Sequence, residues 1–141
     1  QQHGRNKVTF HGPVFGESKA HLLERTDILI VPSVWLENSP IVIAEAYAYG
    51  KPVLATRTGG IPELIREGET GFLVPPGDTA ALTEALCRIA EEPESVRRMA
   101  GACFEAAQQY VVDHELYLGE VSCWHVHATF AHWATDTVVT F

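Results

Sequence analysis

DILIVPSVWLENSPIVIAEAYAYGKPVLAT, residues 27–56, is the stretch on which the fold turns. Ile28, Leu29, Ile30 and Val31 are four consecutive branched apolar residues, the composition of a strand covered on both faces in a parallel sheet. The strand is predicted over Asp27 to Ser33, and Pro32 and a loop to Asn38 end it. A helix is predicted from Ser39 to Tyr49, with Ser39 as its cap and Pro40 in the first helical position, where a missing N–H costs nothing. Gly50 suits the residue just past a helix end. Lys51 to Thr56, KPVLAT, is the next strand. Strand, helix and strand joined by short loops make a parallel crossover unit.

The alternation continues in both directions. KVTFHG (7–12) reads as a short strand closed by glycine and proline, and GESKAHLLERT (16–26) as an amphipathic helix with Ala20, Leu22 and Leu23 as apolar contacts. Downstream come the loop RTGG, a short helix over 61–66, the turn EGETG, and a strand over Gly71 to Val74 stopped by Pro75 and Pro76. Asp78 is a good N-cap for a helix over 79–92, whose Leu82, Ala85, Leu86 and Ile89 follow the spacing of a core-facing stripe. Pro93 opens another helix running to Tyr110, and 113–121 reads as a further short one. Four strands alternating with helices predict an α/β fold with a parallel sheet, small enough to suggest that strands are missing upstream. The domain is assigned to residues 1–121. Residues 122–141, SCWHVHATFAHWATDTVVTF, break its style and form an atypical tail for which helix, strand, disorder and a nonnative origin are all open.

The 141 residues suffice for one domain with a hydrophobic core. A net charge of −8 gives a nucleic acid or an anionic membrane no general electrostatic attraction, and no nucleic-acid partner is expected. Cys87, Cys103 and Cys123 form no CxxC pair and read as buried, reduced thiols. No apolar run approaches the ~18 residues of a membrane span, and the polar start QQHGRNK is no secretory signal. A cytoplasmic protein is expected, with peripheral attachment at the inner membrane face open for a longer form.

Glu37 and Glu45 carry the chemistry. Glu45 is the only side chain charged at neutral pH within PIVIAEAYAYG (40–50). The predicted helix start places the N–H groups of Ile41 and Val42 at the carboxyl edge of the sheet, where the helix dipole favours an anion such as a diphosphate. Glu45 lies five residues past Pro40, ~7.5 Å along the axis. There it can accept hydrogen bonds from the two hydroxyls of a ribose, while Glu37 accepts from a sugar beyond the diphosphate. The plainer reading pairs Glu45 with a Lys or Arg and leaves Glu37 as a solvated loop residue.

Thr58, Gly59 and Gly60 emerge on the same edge. The glycines either let a ligand approach the backbone, beside a second helix N-terminus at 61, or simply make a tight turn. Lys51 and Arg57 either assist a phosphate or face solvent, and His11 either borders the cleft or ends its strand. Cys123, His125, His127 and His132 can be read as a tetrahedral metal set, but accidental histidines in a foreign tail are the preferred reading.

PSVWLENSPIVIAEAYAYGKPVLATRTGGIPELIREGETGFLVPPGD (32–78) resembles the nucleotide-sugar-binding domain of the group 1 retaining glycosyltransferases of the GT-B fold. The resemblance rests on two glutamates separated by seven residues, Gly50-Lys51-Pro52-Val53, the Gly59-Gly60 loop and the segment from Gly71 to Asp78, and it runs from about Val8 to Val121. It implies a Rossmann-like parallel sheet with helices on both faces, as part of a C-terminal domain. It implies a donor that is a UDP-, GDP- or ADP-sugar, transfer with retention, no cofactor and no metal. Glu37 would contact donor-sugar hydroxyls and is the catalytic candidate. Asn38, Ser39, Pro40, Ile41 and Val42 would hold the diphosphate and sugar, Glu45 the ribose, and Thr58, Gly59 and Gly60 would line the cleft. Family members carry two further strands before Val8, with an Arg and a Lys for the diphosphate, and an N-terminal domain for the acceptor. None has a counterpart here, so this chain alone is expected to be inactive. A noncatalytic nucleotide-binding or assembly module and a nucleotide-sugar epimerase of the same fold are the alternatives.

Overall fold

The structure, a computed structural model, describes residues 9–118 and 139–140. In chain order, β1 (Thr9–Phe10), α1 (Gly16–Arg25), β2 (Leu29–Val31), α2 (Ile41–Ala48), β3 (Val53–Thr56) and α3 (Ile61–Leu64) come first. They are followed by β4 (Gly71–Val74), α4 (Thr79–Glu91), α5 (Pro93–Arg98), α6 (Ala100–Leu118) and β5 (Val139–Thr140). Two compact units result: Thr26–Asp113, and Gln1–Arg25 with His114–Phe141.

The first of these is built on a three-stranded parallel sheet in the order β2-β3-β4. The central strand, β3, is the one covered on both faces: Val53, Leu54 and Ala55 are fully buried. Alternate side chains of a strand point to opposite faces. Leu54 therefore joins Val74, Ala85, Ile89 and Val96 in one core, and Leu82 and Leu86 of α4 pack against it as the stripe predicts. Helix α3 adjoins β3, while Ile43, Ala46 and Tyr47 of α2 are buried. The Asp78 carboxylate accepts from the Ala81 N–H at 2.9 Å, the predicted cap. Gly50, at φ 66°, follows α2 as predicted and donates to the Tyr47 carbonyl.

Several expectations are corrected. Strand β2 is shorter than 27–33 and only half-buried, because it stands at the end of the sheet order. The sheet has three described strands, and β1 is not in it. Thr9 pairs antiparallel with Thr140 and Phe10 with Val139. Both Thr9 and Phe10 are exposed, so no apolar burial draws β1 onto the parallel sheet. The predicted 61–66 helix is one turn, because the Thr70 hydroxyl takes the Arg66 N–H at 3.0 Å and Ile65 is extended. The helix from Pro93 breaks around Met99, which turns inward with Val96, and α6 then continues to Leu118. Cys103 is buried as expected, but Cys87 is exposed on α4, outside its apolar stripe. Cys123 and nearly all of 122–141 lie outside the described residues.

A buried polar cluster lies among α2, the turn before β4, and α6. The Tyr47 hydroxyl is 3.1 Å from the Leu64 carbonyl and 2.9 Å from the Thr70 hydroxyl, and the Cys103 thiol donates to the Thr70 carbonyl. Burial pushes Tyr47 up to about 12, against an opposing effect of its bond to Thr70, and pushes Cys103 up to about 11. Both groups are neutral when protonated, and their folded values lie above the ordinary 10.0 and 9.0. The unfolded chain therefore loses these protons first as pH rises. Stability is fully present below about pH 9 and falls on the way to about pH 12, by about 1.4 kcal/mol per unit for each group between its two values. Urea unfolding across this range checks the loss; Tyr47→Phe with Cys103→Ala should flatten it.

Candidate functional site

The β2–β3 ladder ends at Val31 opposite Ala55. Beyond it, side chains and a loop amide take over the pairing. The Thr56 hydroxyl donates to the Ser33 carbonyl at 2.5 Å, the Thr58 hydroxyl to the Trp35 carbonyl at 3.2 Å, and the Gly60 N–H to the Glu37 carbonyl at 2.7 Å. These bonds stitch the loop after β2 to the loop after β3 along the carboxyl edge of the sheet. Gly59 has φ 54°, and a Cβ there would sit 2.1 Å from the Glu37 carbonyl oxygen; one at Gly60 would sit 2.0 Å from that of Asn38. The closest approach these glycines permit is that of the chain's own backbone.

The loop so pinned leads into α2. Glu37 is half-buried, with its carboxylate Oε1 3.3 Å from the Ser33 hydroxyl, while Asn38 and Ser39 are exposed. Ser39 does not cap α2. Pro40 holds the cap position with an extended backbone and no side-chain bond, and the Ser39 hydroxyl lies 3.0 Å from that of Tyr110 on α6. Ile41 and Val42 are then the first helical residues, and Ile43 makes an early backbone bond, to the Pro40 carbonyl at 3.0 Å. Helices leave their first amides without intrahelical partners, and in α2 these are the amides of Ile41 and Val42. Glu45 follows one turn on, half-buried and with an interaction of its own inside the protein.

The second helix start contributes less than expected. In α3 the Gly60 amide is taken by Glu37, that of Ile61 by the Thr58 carbonyl at 3.2 Å and that of Glu63 by the Gly60 carbonyl at 3.1 Å, and Pro62 has none. Convergence of two helix N-termini reduces to one, that of α2. Arg57 lies on the correct edge but is exposed and paired with Glu67 at 3.5 Å. Lys51 precedes β3 and so stands on the opposite edge from Glu37. His11 belongs to the other compact unit.

Ser33, Thr56 and Tyr110 are absent from the sequence-based site. Thr56 reads as ordinary strand filler, and Ser33 and Tyr110 carry no pattern that announces their partners. A groove of about 410 Å³ runs between α2, α3 and α6, lined by Ile43, Tyr47, Leu64, Arg66 and Tyr110 among others, and none of the expected donor-binding residues lines it. Among the described residues, no three His, Cys, Asp or Glu side chains gather as metal ligands, and no helix is long and apolar enough to cross a membrane. Cys123, His125, His127 and His132 lie outside the described residues.

A profile of the family described as glycosyl transferases group 1 matches residues 1–92. D-inositol 3-phosphate glycosyltransferase of Streptomyces griseus is 40% identical over 103 residues, covering 73% of this chain and 22% of that protein. Phosphatidyl-myo-inositol mannosyltransferase of Mycobacterium leprae is 35% identical over 103 residues, 73% of this chain and 28% of that protein. The chain thus spans about a quarter of the length of these curated relatives. Among solved structures, sucrose-phosphate synthase of Thermosynechococcus elongatus aligns with a TM-score of 0.63 at 32% identity, over 72% of this chain and 27% of that one. Anabaena HepE in complex with UDP-glucose aligns with a TM-score of 0.59 at 32% identity, over 62% of this chain and 24% of that one.

Proposed function

This chain belongs to the group 1 glycosyl transferases, and from that premise we propose that it is the donor-binding part of an enzyme that moves a sugar from a nucleoside diphosphate sugar to an acceptor with retention of configuration. The observation that carries the reading is the order of groups along one pinned segment: the Glu37 carboxylate, the open amides of α2 at Ile41 and Val42, then Glu45 a turn later. Such a segment matches a ligand with hydroxyls at both ends and two phosphates between. The amides and the positive end of the α2 dipole take the diphosphate. Glu45 takes the ribose hydroxyls and Glu37 the sugar hydroxyls. UDP-glucose in the HepE complex has this chemistry and supports the reading. Thr58, Gly59 and Gly60 act from behind, holding the loop that carries Glu37.

In this reaction the bond from the anomeric carbon to the diphosphate oxygen breaks, a bond to the acceptor hydroxyl oxygen forms, and the hydroxyl proton leaves with the diphosphate. The chain's share is to orient the donor and to stabilise the leaving diphosphate with fixed N–H dipoles, which cost no reorganisation at the moment of reaction. Incubating the full-length protein with UDP-, GDP- and ADP-sugars and candidate acceptor alcohols tests this. Acceptor-dependent release of one nucleoside diphosphate, with the anomeric configuration kept in the product by NMR, is expected. Inversion of the centre, or epimerised sugar without transfer, would contradict it.

A further inference from the structure

We propose that Ser33 is a positioning residue for Glu37: its hydroxyl holds the carboxylate in the orientation that meets the donor sugar, and Thr56 holds Ser33. The inference rests on the donor-binding reading above. The Ser33 hydroxyl has one proton and two acceptors in reach, Glu37 Oε1 at 3.3 Å and the Trp35 carbonyl at 3.4 Å. The Trp35 carbonyl already accepts from Thr58 at 3.2 Å, and an ionised carboxylate is the stronger acceptor, so the proton belongs to Glu37. The same hydroxyl oxygen accepts the Trp35 N–H at 3.4 Å, which restrains its rotation.

The restraint has a rigid origin. Thr56 closes the fully covered strand β3, is itself buried, and donates to the Ser33 carbonyl just past the end of the β2–β3 ladder. Polar contacts therefore run from the centre of the sheet through Thr56 and Ser33 to the carboxylate. The backbone of Glu37 is fixed separately by the Gly60 amide, so the freedom left to Glu37 is rotation of its side chain. A site whose carboxylate is oriented before binding avoids that entropic cost when the ligand arrives. The 3.3 Å spacing is long for a hydroxyl bond, as such contacts often are before a ligand tightens the site.

The test compares full-length wild type, Ser33→Ala, Ser33→Thr and Ser33→Cys in titrations with UDP-glucose, GDP-mannose and ADP-glucose, each against its sugar-free diphosphate. Ser33→Ala should weaken binding of the cognate sugar donor about tenfold while leaving the free diphosphate within about twofold, since the lost bond is to a charged group that touches only the sugar. Ser33→Thr should recover most of the loss. Ser33→Cys, similar in size but a weak donor, should behave like Ser33→Ala and provides the result if the alanine variant fails to fold. In a Glu37→Ala background, Ser33→Ala should add nothing. Equal weakening of donor and free diphosphate, or a further loss without Glu37, would make Ser33 a structural residue and overturn the proposal. If Glu37→Ala leaves donor affinity intact, or no donor binds, the donor-binding reading fails and takes the proposal with it. If Glu37→Ala weakens the donor and Ser33→Ala does not, the positioning role alone fails.

Discussion

Gly59→Ala in the full-length protein is expected to lower stability by about 3 kcal/mol and to remove sugar transfer with it. Two costs add. A left-handed backbone costs a non-glycine residue ~1 kcal/mol, and the new methyl would stand 2.1 Å from the Glu37 carbonyl oxygen and 2.7 Å from its nitrogen. Because backbone atoms meet it, no side-chain rotation relieves the overlap. The loops must separate, and the Gly60 N–H bond to Glu37 and the Thr58 bond to Trp35 are lost. Gly77→Ala separates the two costs. Gly77 also has positive φ, 74°, but a Cβ there would meet nothing within 4 Å. It should lose only ~1 kcal/mol and keep activity. Urea unfolding and transfer rates of the two variants check the difference; equal behaviour would mean that the loops are not held as described.

Glu37→Ala should reduce kcat/KM for transfer by about 100-fold or more while changing unfolding stability by less than about 1 kcal/mol. Two hydrogen bonds from sugar hydroxyls to an ionised carboxylate at ~1.5 kcal/mol each account for that size. Stability is spared because the folded chain uses the Glu37 backbone, through Gly60, far more than its side chain. Glu45→Ala should act on the other end of the ligand, weakening the nucleoside diphosphate itself about tenfold. Steady-state kinetics with the cognate donor, beside titration with the free diphosphate, separates the two. Loss of diphosphate affinity in Glu37→Ala would put that carboxylate at the wrong end.

Where structure depends on neighbours in sequence, the residues announce it. Helix α4 begins where Asp78 can cap it and buries the stripe its spacing marks, because cap and stripe are local. Strand β3 and the crossover through α2 follow from apolar runs and glycine punctuation in the same way. Ser39 shows the opposite case. It looks like a cap, but its hydroxyl meets Tyr110, a partner 71 residues away that no local pattern names. The paired glycines of RTGG announce a special backbone without saying what presses on it, and the pressing group is the Glu37–Asn38 backbone. Ser33 and Thr56 stayed hidden because a serine after a strand and a threonine at a strand end are ordinary residues until their register is known. The second helix start misled for a related reason: Pro62 signals a helix, but only the structure shows its amides already taken.

Whether residues 37–45 grip a nucleoside diphosphate sugar is decided by amide hydrogen exchange of the full-length protein with and without the donor it binds. The arrangement described requires protection of the amides at Asn38, Ile41 and Val42 on binding, with those of Gly60, Ile61 and Glu63, already bonded within the chain, unchanged. Unchanged exchange at Ile41 and Val42 under saturating donor, with protection confined to other parts of the protein, would contradict it.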